Sequence, residues 1–310
     1  MVLSHGYSPS HVIAARGIDP WTSCVEEKSD GDLTFEVFPS GQIASIKESL
    51  DALNNGLAGV SAIAIGYESA RLPLNGVTML PDMGGSVEEM AASYRAALES
   101  GPLADEMDGN GIHPVFNIML PVYQIVSAVG PIDTLDAFKG KVIRSGGGAM
   151  NFTLQSVGAS PSEIPSADMY VAMERKTVDA TLSALSSVKP YKLDELVNAI
   201  SSNGRFGTFA TVFAMNKGIW DGLSSENQEA VTACGKEIET SLAAYLDEAN
   251  TSLQEEFAAK GIEIYAFSDE TLEAMDAKLG EVADSYIARL SERGLPAREA
   301  YDAYRMTLGR

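Results

Sequence analysis

The sequence predicts an α/β fold in two lobes, and three observations carry that prediction. Apolar runs of strand length alternate with helical patterns from the first residues. A second group of such elements repeats the style after about residue 121, and the last third holds a long proline-free helical run. With 310 residues, 45% hydrophobic and 21% charged, the chain can bury a full core and is long enough for two domains.

Taken in order, Val2 to Ser4 reads as a first strand and a helix containing Pro20 follows. LTFEVFP, residues 33–39, alternates apolar and polar side chains as a half-buried strand does. Ser45 to Asn55 then sets Ile46, Leu50 and Leu53 on one face of a helix, and Val60 to Ile65 is a continuous apolar strand. This βαβαβ opening implies a mainly parallel sheet covered by helices. From about Pro121 to Thr208, further strands are expected near Tyr123, Val142, Val178 and Val197. Between Ser224 and about Lys260 there is no proline and only Gly235, while Val231, Ile238, Leu242, Leu246 and Leu253 recur at helical spacing. At 1.5 Å per residue that helix exceeds about 50 Å, longer than one lobe. Helices over about Asp269 to Arg293 and Pro296 to Met306 close the chain.

The most informative residue is Arg144. Val142 and Ile143 are β-branched and follow Lys141, so Lys141 to Arg144 reads as a short buried strand, and Gly146, Gly147 and Gly148 supply the turn into a helix from about Ala149. Arg144 therefore stands at a strand's carboxyl end, the crevice where open α/β sheets bind ligands. Its planar fork matches a carboxylate with two parallel hydrogen bonds. The competing reading is an internal ion pair with Glu163 or Asp168.

The same segment carries a family resemblance. GKVIR, then VGASPSEIP, then ADMYVAMERKTVDA resembles the stretch read roughly as GlKiR, lGAsP, EvYxAL and VDG in the solute-binding proteins of TRAP (tripartite ATP-independent periplasmic) transporters, the DctP family. SHGYSPSH, VEEKSDGDLTFEVFPSGQIAS, ESLDALNNGLAGVSAIA and NKGIWDGLSSENQEAV agree with it along the whole chain. The resemblance implies a periplasmic-binding-protein-like fold whose long helix crosses both lobes. It further implies a periplasmic protein, its leader removed, that closes on a small organic acid and delivers it to the membrane subunits of the transporter. In that family the arginine of GlKiR makes a bidentate salt bridge to the ligand carboxylate, and Arg144 is the matching residue. On this reading residues 1–121 and 213–253 form one lobe and 122–212 and 254–310 the other, with the ligand cleft between them and the protein a monomer.

The rest of the expected ligand-binding set follows from position. His5 ends the first strand and is expected to meet a ligand hydroxyl or amine, or else to be structural. Gly147 belongs to the turn beside Arg144. Gln124 stands where relatives that resemble sialic-acid binders carry a second arginine, and Ser183 stands near a family asparagine. Both departures point from a dicarboxylate toward a monocarboxylate, because a second carboxylate would lose its charged partner on desolvation. Tyr67, Phe206 and Phe209 are expected to wall the pocket or to serve the core.

Several classes are argued against. A net charge of −21, from 43 acidic and 22 basic residues, opposes nucleic acid or an anionic membrane surface as partner. No run approaches the roughly 20 apolar residues of a membrane span. The competing function is an α/β enzyme acting on a small carboxylate, but no G-x-S-x-G, H-E-x-x-H or G-x-x-x-x-G-K-[ST] motif occurs. His5, His11 and His113 are too scattered to predict a metal site, and no cofactor is expected. Cys24 and Cys234 have no metal or redox spacing. Buried free thiols are expected, with a disulfide left open should their Cα atoms come within about 7 Å.

Overall fold

The computed structural model describes residues 1–309 and builds two mixed sheets. Strands β1 (Val2–Ser4), β2 (Glu36–Phe38), β3 (Val60–Ala64), β4 (Ile112–Met119) and β10 (Ala210–Asn216) form the first, in the order β2-β1-β3-β10-β4. The second comprises β5 (Gln124–Ser127), β6 (Val142–Ser145), β7 (Ser160–Glu163), β8 (Ala180–Ser183), β9 (Ala199–Ser201) and β11 (Glu263–Tyr265), ordered β11-β9-β5-β8-β6-β7. In each sheet a single strand runs against the others: β10 is antiparallel to β3 and β4, and β5 to β8 and β9. Each sheet is thus mainly parallel, and each reversed strand lies just beyond a chain passage from one sheet to the other.

Two strands that periodicity does not announce, β4 and β7, contain Pro114 and Pro161. Both lie at sheet edges, where a missing backbone N–H leaves no ladder bond broken inside the sheet. Beside Pro114 the β4–β10 register shifts between Phe213 and Ala214. Pro20 has a comparable local effect. It opens the helix Asp19–Lys28 directly after a wider π turn, Ala14–Ile18, since a proline inside a helix lacks its N–H and its ring crowds the preceding turn.

The larger apolar cluster runs from the first sheet to one face of the second, where Ile125, Ile143 and Leu182 join it. Val126 and Ile200 point the other way and build a smaller cluster with Met169, Val178 and Phe257. The helix Ser225–Ala259, 35 residues and about 52 Å long, belongs to both: Val231, Leu242 and Leu246 enter the first cluster and Phe257 the second. Ser224 caps its start by accepting the Asn227 N–H at 3.2 Å. Gly235 is required within it, because a Cβ there would lie 2.1 Å from the Val115 carbonyl oxygen of β4. Glu239, one turn on, is buried against Arg95, which donates from Nε at 2.8 Å and from Nη2 at 2.6 Å. The closing helices are Asp269–Glu292 and Ala297–Thr307, and the last packs on Val87–Ala97, with Tyr94 and Tyr304 edge to face.

The cysteines overturn the expectation of free thiols. Cys24, in Asp19–Lys28, and Cys234, in the long helix, lie 5.8 Å apart at Cα and are joined as a disulfide across 210 residues. Helix packing brings together what sequence separation concealed, and such a bond is at home in an oxidising compartment. Closing so long a loop restricts the unfolded chain strongly. Replacing the pair by Cys24→Ser and Cys234→Ala is expected to lower stability by about 2–5 kcal/mol. Urea denaturation of parent and variant checks this, and equal midpoints would refute it.

His5 follows β1, is 1% exposed, and accepts the Tyr7 N–H at Nδ1 over 3.3 Å. Burial lowers its pKa from 6.5 to about 4. Between those values the unfolded chain binds a proton that the folded chain refuses, so acid favours unfolding by about 1.4 kcal/mol per pH unit. Buried Glu106 and Glu239, whose pKa values burial raises, act in the opposite sense. The comparison that isolates His5 is therefore with His5→Asn, which keeps an acceptor for Tyr7. The variant is expected to lose stability less steeply between pH 6.5 and 4 than the parent, as followed by denaturant midpoints at stepped pH.

Candidate ligand-binding site

Arg144 leaves β6 at its carboxyl end and turns inward, 2% exposed. Its Nε donates to the Ile164 carbonyl at 2.7 Å, Nη1 to the Leu182 carbonyl at 3.3 Å, and Nη2 to the Tyr67 hydroxyl at 2.6 Å. One N–H on each terminal nitrogen is left over. Neither carboxylate that the sequence offered as a partner is used. Glu163 faces Lys47 at 3.8 Å, and Asp168 is exposed in the short turn Ser166–Asp168. Among the described residues no carboxylate lies within 4 Å of this guanidinium. A buried cation held only by neutral oxygens is costly, and the cost is relieved by an anion.

The cavity around it is narrow, leaving about 20 Å³ to a water-sized sphere, room for one or two waters. Five aromatic rings enclose it: Tyr7, Tyr67, Tyr123, Tyr191 and Phe209, with the His11 imidazole among them. Tyr67 comes from the turn Ile65–Glu68 after β3 and reaches across to the second sheet, where its hydroxyl also accepts the Ser166 N–H at 2.8 Å. Tyr191 meets the Ser166 hydroxyl at 3.0 Å, and Tyr7 the Thr211 hydroxyl at 2.9 Å. Burial raises the pKa of Tyr7, Tyr123 and Tyr191, so these phenols stay protonated, although Arg144 pulls Tyr123 and Tyr191 the other way. No Asp or Glu lines the cavity among the described residues.

The loops that bring Arg144 and Tyr67 together meet glycine to glycine. A Cβ on Gly66 would lie 2.4 Å from the Gly146 carbonyl oxygen, and Gly147 has φ +81°. Larger residues here would push the two strand ends apart.

Of the residues singled out from sequence, Arg144, Ser183, Tyr67 and Phe209 converge on this cavity, and four do not. His5 sits behind Tyr7. Gln124 is consumed by the fold: its Oε1 accepts from the Ser201 hydroxyl at 2.7 Å and the Gly204 N–H at 2.9 Å, and its Nε2 donates to the Gly204 carbonyl at 2.9 Å. Phe206 is fully buried between Phe138 and Phe267. Gly147 shapes the turn beside Glu163 without lining the cavity. Tyr7, His11, Tyr123 and Tyr191 were missed. Tyr7 and His11 occupy the loop after β1, so the rule that ligands gather at strand ends would have found them had it been extended beyond His5.

A larger groove of about 620 Å³ runs past Gln124, Arg205 and Asp276. There Arg205 is exposed and already paired with Asp276 at 2.6 Å, so among the described residues the groove offers no unpaired cation to an acid. The buried, carboxylate-free Arg144 makes the smaller cavity the candidate site.

Comparison with known proteins agrees with this architecture. The chain is 23% identical over 308 residues to the outer membrane transporter protein TsaT of Comamonas testosteroni, covering 98% of this chain and 90% of that one. A TRAP periplasmic solute binding protein from Bordetella bronchiseptica, solved with (R)- and (S)-mandelate, superposes with a TM-score of 0.89 at 20% identity, over 100% of this chain and 98% of that one. Another from Rhodoferax ferrireducens, with copurified benzoate, gives 0.91 at 19% identity, over 100% and 97%. Residues 3–289 match the model of DctP, bacterial extracellular solute-binding protein, family 7. A two-lobed fold joined by one long helix and a match over nearly the whole length make this chain a member of the DctP family, the periplasmic solute-binding proteins of TRAP transporters.

Proposed function

We propose that this chain captures a small monocarboxylate, without chemical change, through a salt bridge to Arg144 and closure of the two lobes. The observation that carries the reading is the buried guanidinium with no acidic partner, an arrangement that an incoming carboxylate completes. A single cation lines the cavity among the described residues, which favours one carboxylate over two. The aromatic walls suit a compact apolar body, and the mandelate and benzoate held by the two structural neighbours are acids of this kind.

On this reading residues 1–121 and 213–253 form the first lobe and 122–212 and 254–310 the second. The helix Ala297–Thr307, packed on Val87–Ala97, is better counted with the first. The small cavity supports a reading in which the lobes part to admit the acid and contacts such as Tyr67 to Arg144 then favour the closed form. The cargo passes to the membrane subunits of a TRAP transporter, with the binding protein acting as a monomer.

A panel of organic acids tested by thermal shift and calorimetry examines the reading. Arg144→Ala is expected to weaken binding of any acid that stabilises the parent by at least about 30-fold, and Arg144→Lys by less, because an ammonium lacks the fork. A ligand-dependent rise in Tm that survives Arg144→Ala would overturn the reading. Tyr67→Phe removes the hydroxyl that accepts from both Arg144 and Ser166. It is expected to weaken the same acid by about two- to tenfold, chiefly through faster release in stopped-flow measurements.

A further inference from the structure

His11 lines the cavity, is 1% exposed, and its Nε2 has no hydrogen-bond partner; of the side chains with a buried unpartnered polar atom among the described residues, it alone lines this cavity. Its Nδ1 accepts the Ile13 N–H at 3.2 Å, so in the neutral ring Nε2 carries the hydrogen. Burial lowers the pKa to about 3 and keeps the ring neutral. A donor is thus held in the cavity that Arg144 also lines, with the tilted faces of Tyr7 and Tyr191 around it, their ring centres 4.9 and 5.3 Å away.

We propose that His11 determines specificity: its Nε2–H donates to an uncharged oxygen on the cargo, which is therefore a small monocarboxylate bearing a hydroxyl or carbonyl rather than a bare hydrocarbon acid. The proposal rests on the Arg144 reading above. A second carboxylate is disfavoured, because it would be stripped of water against a neutral imidazole. An ammonium group is disfavoured too, because it would meet a donor and no acid. A bare acid fits the walls but leaves Nε2–H unpaired, and sites built to hydrogen-bond an oxygen reject analogues that lack it.

Matched pairs test this by calorimetry: lactate against propionate, and mandelate against phenylacetate. The parent is expected to prefer the oxygenated member of a pair by about five- to a hundredfold. His11→Phe should bring the two affinities close together, while His11→Gln, which retains a donor, should restore part of the preference. Should His11→Phe fold poorly, the Nε2 proton resonance of the parent serves instead, moving with lactate or mandelate and not with propionate or phenylacetate. Equal affinities within every pair, or a preference untouched by His11→Phe, would overturn the role of His11 and leave the tilted rings of Tyr7 and Tyr191 as its neighbours in this role. If no acid binds the parent, or Arg144→Ala binds as well as the parent, the Arg144 reading fails and this inference with it. If both members bind, need Arg144 and ignore His11, only the inference fails.

Discussion

The candidate site turns on one buried charge that finds no acidic partner among the described residues. Arg144 is withdrawn from water at the end of a strand and met there by two carbonyls and a phenol, with no acid among the described residues. The contrast with Arg95 is instructive. That arginine is also largely buried, but Glu239 comes with it and Asn117 donates to the same carboxylate, so the group is closed and serves to dock the long helix on β4. One pair is complete within the chain and therefore structural. The other has no acidic partner among the described residues, and around it stand protonated tyrosines, no lining carboxylate among those residues, and glycines where two loops touch.

Much of the fold could be read from the residues because its signals are local. The strands at Val2, Val60 and Val142 and the long helix from about Ser224 all follow from the spacing of apolar residues. Of the strands left unannounced, β11 is only three residues long and the others carry a conflict. β4 and β7 carry prolines that only their edge positions excuse, and β10 reads as a continuous apolar run that does not reveal its reversed direction. The disulfide was invisible for a related reason, since its two cysteines meet only through helix packing.

The candidate site was legible at Arg144 and less so in the rings around it. Arg144 is marked by a strand end, a glycine turn and a family motif that coincide. Tyr67 follows the end of β3, Ser183 ends β8, and Phe209 directly precedes β10. Gln124 and Phe206 are equally close along the chain, yet one is absorbed by the Gly204 turn and the other by a cluster of phenyl rings. Which way a side chain leaves its strand depends on register, and sequence spacing cannot set that.

The link between Cys24 and Cys234 bears on how the protein is made. During synthesis the first sulfur emerges more than two hundred residues ahead of its mate, and nearly every strand is complete before the second arrives. With only two cysteines in the chain there is one intramolecular pairing, so isomerase proofreading is unnecessary. The sole wrong product is a cross-link between two unfinished copies. Export that delivers chains singly to an oxidising space therefore protects the yield, whereas crowded expression as inclusion bodies invites covalent dimers.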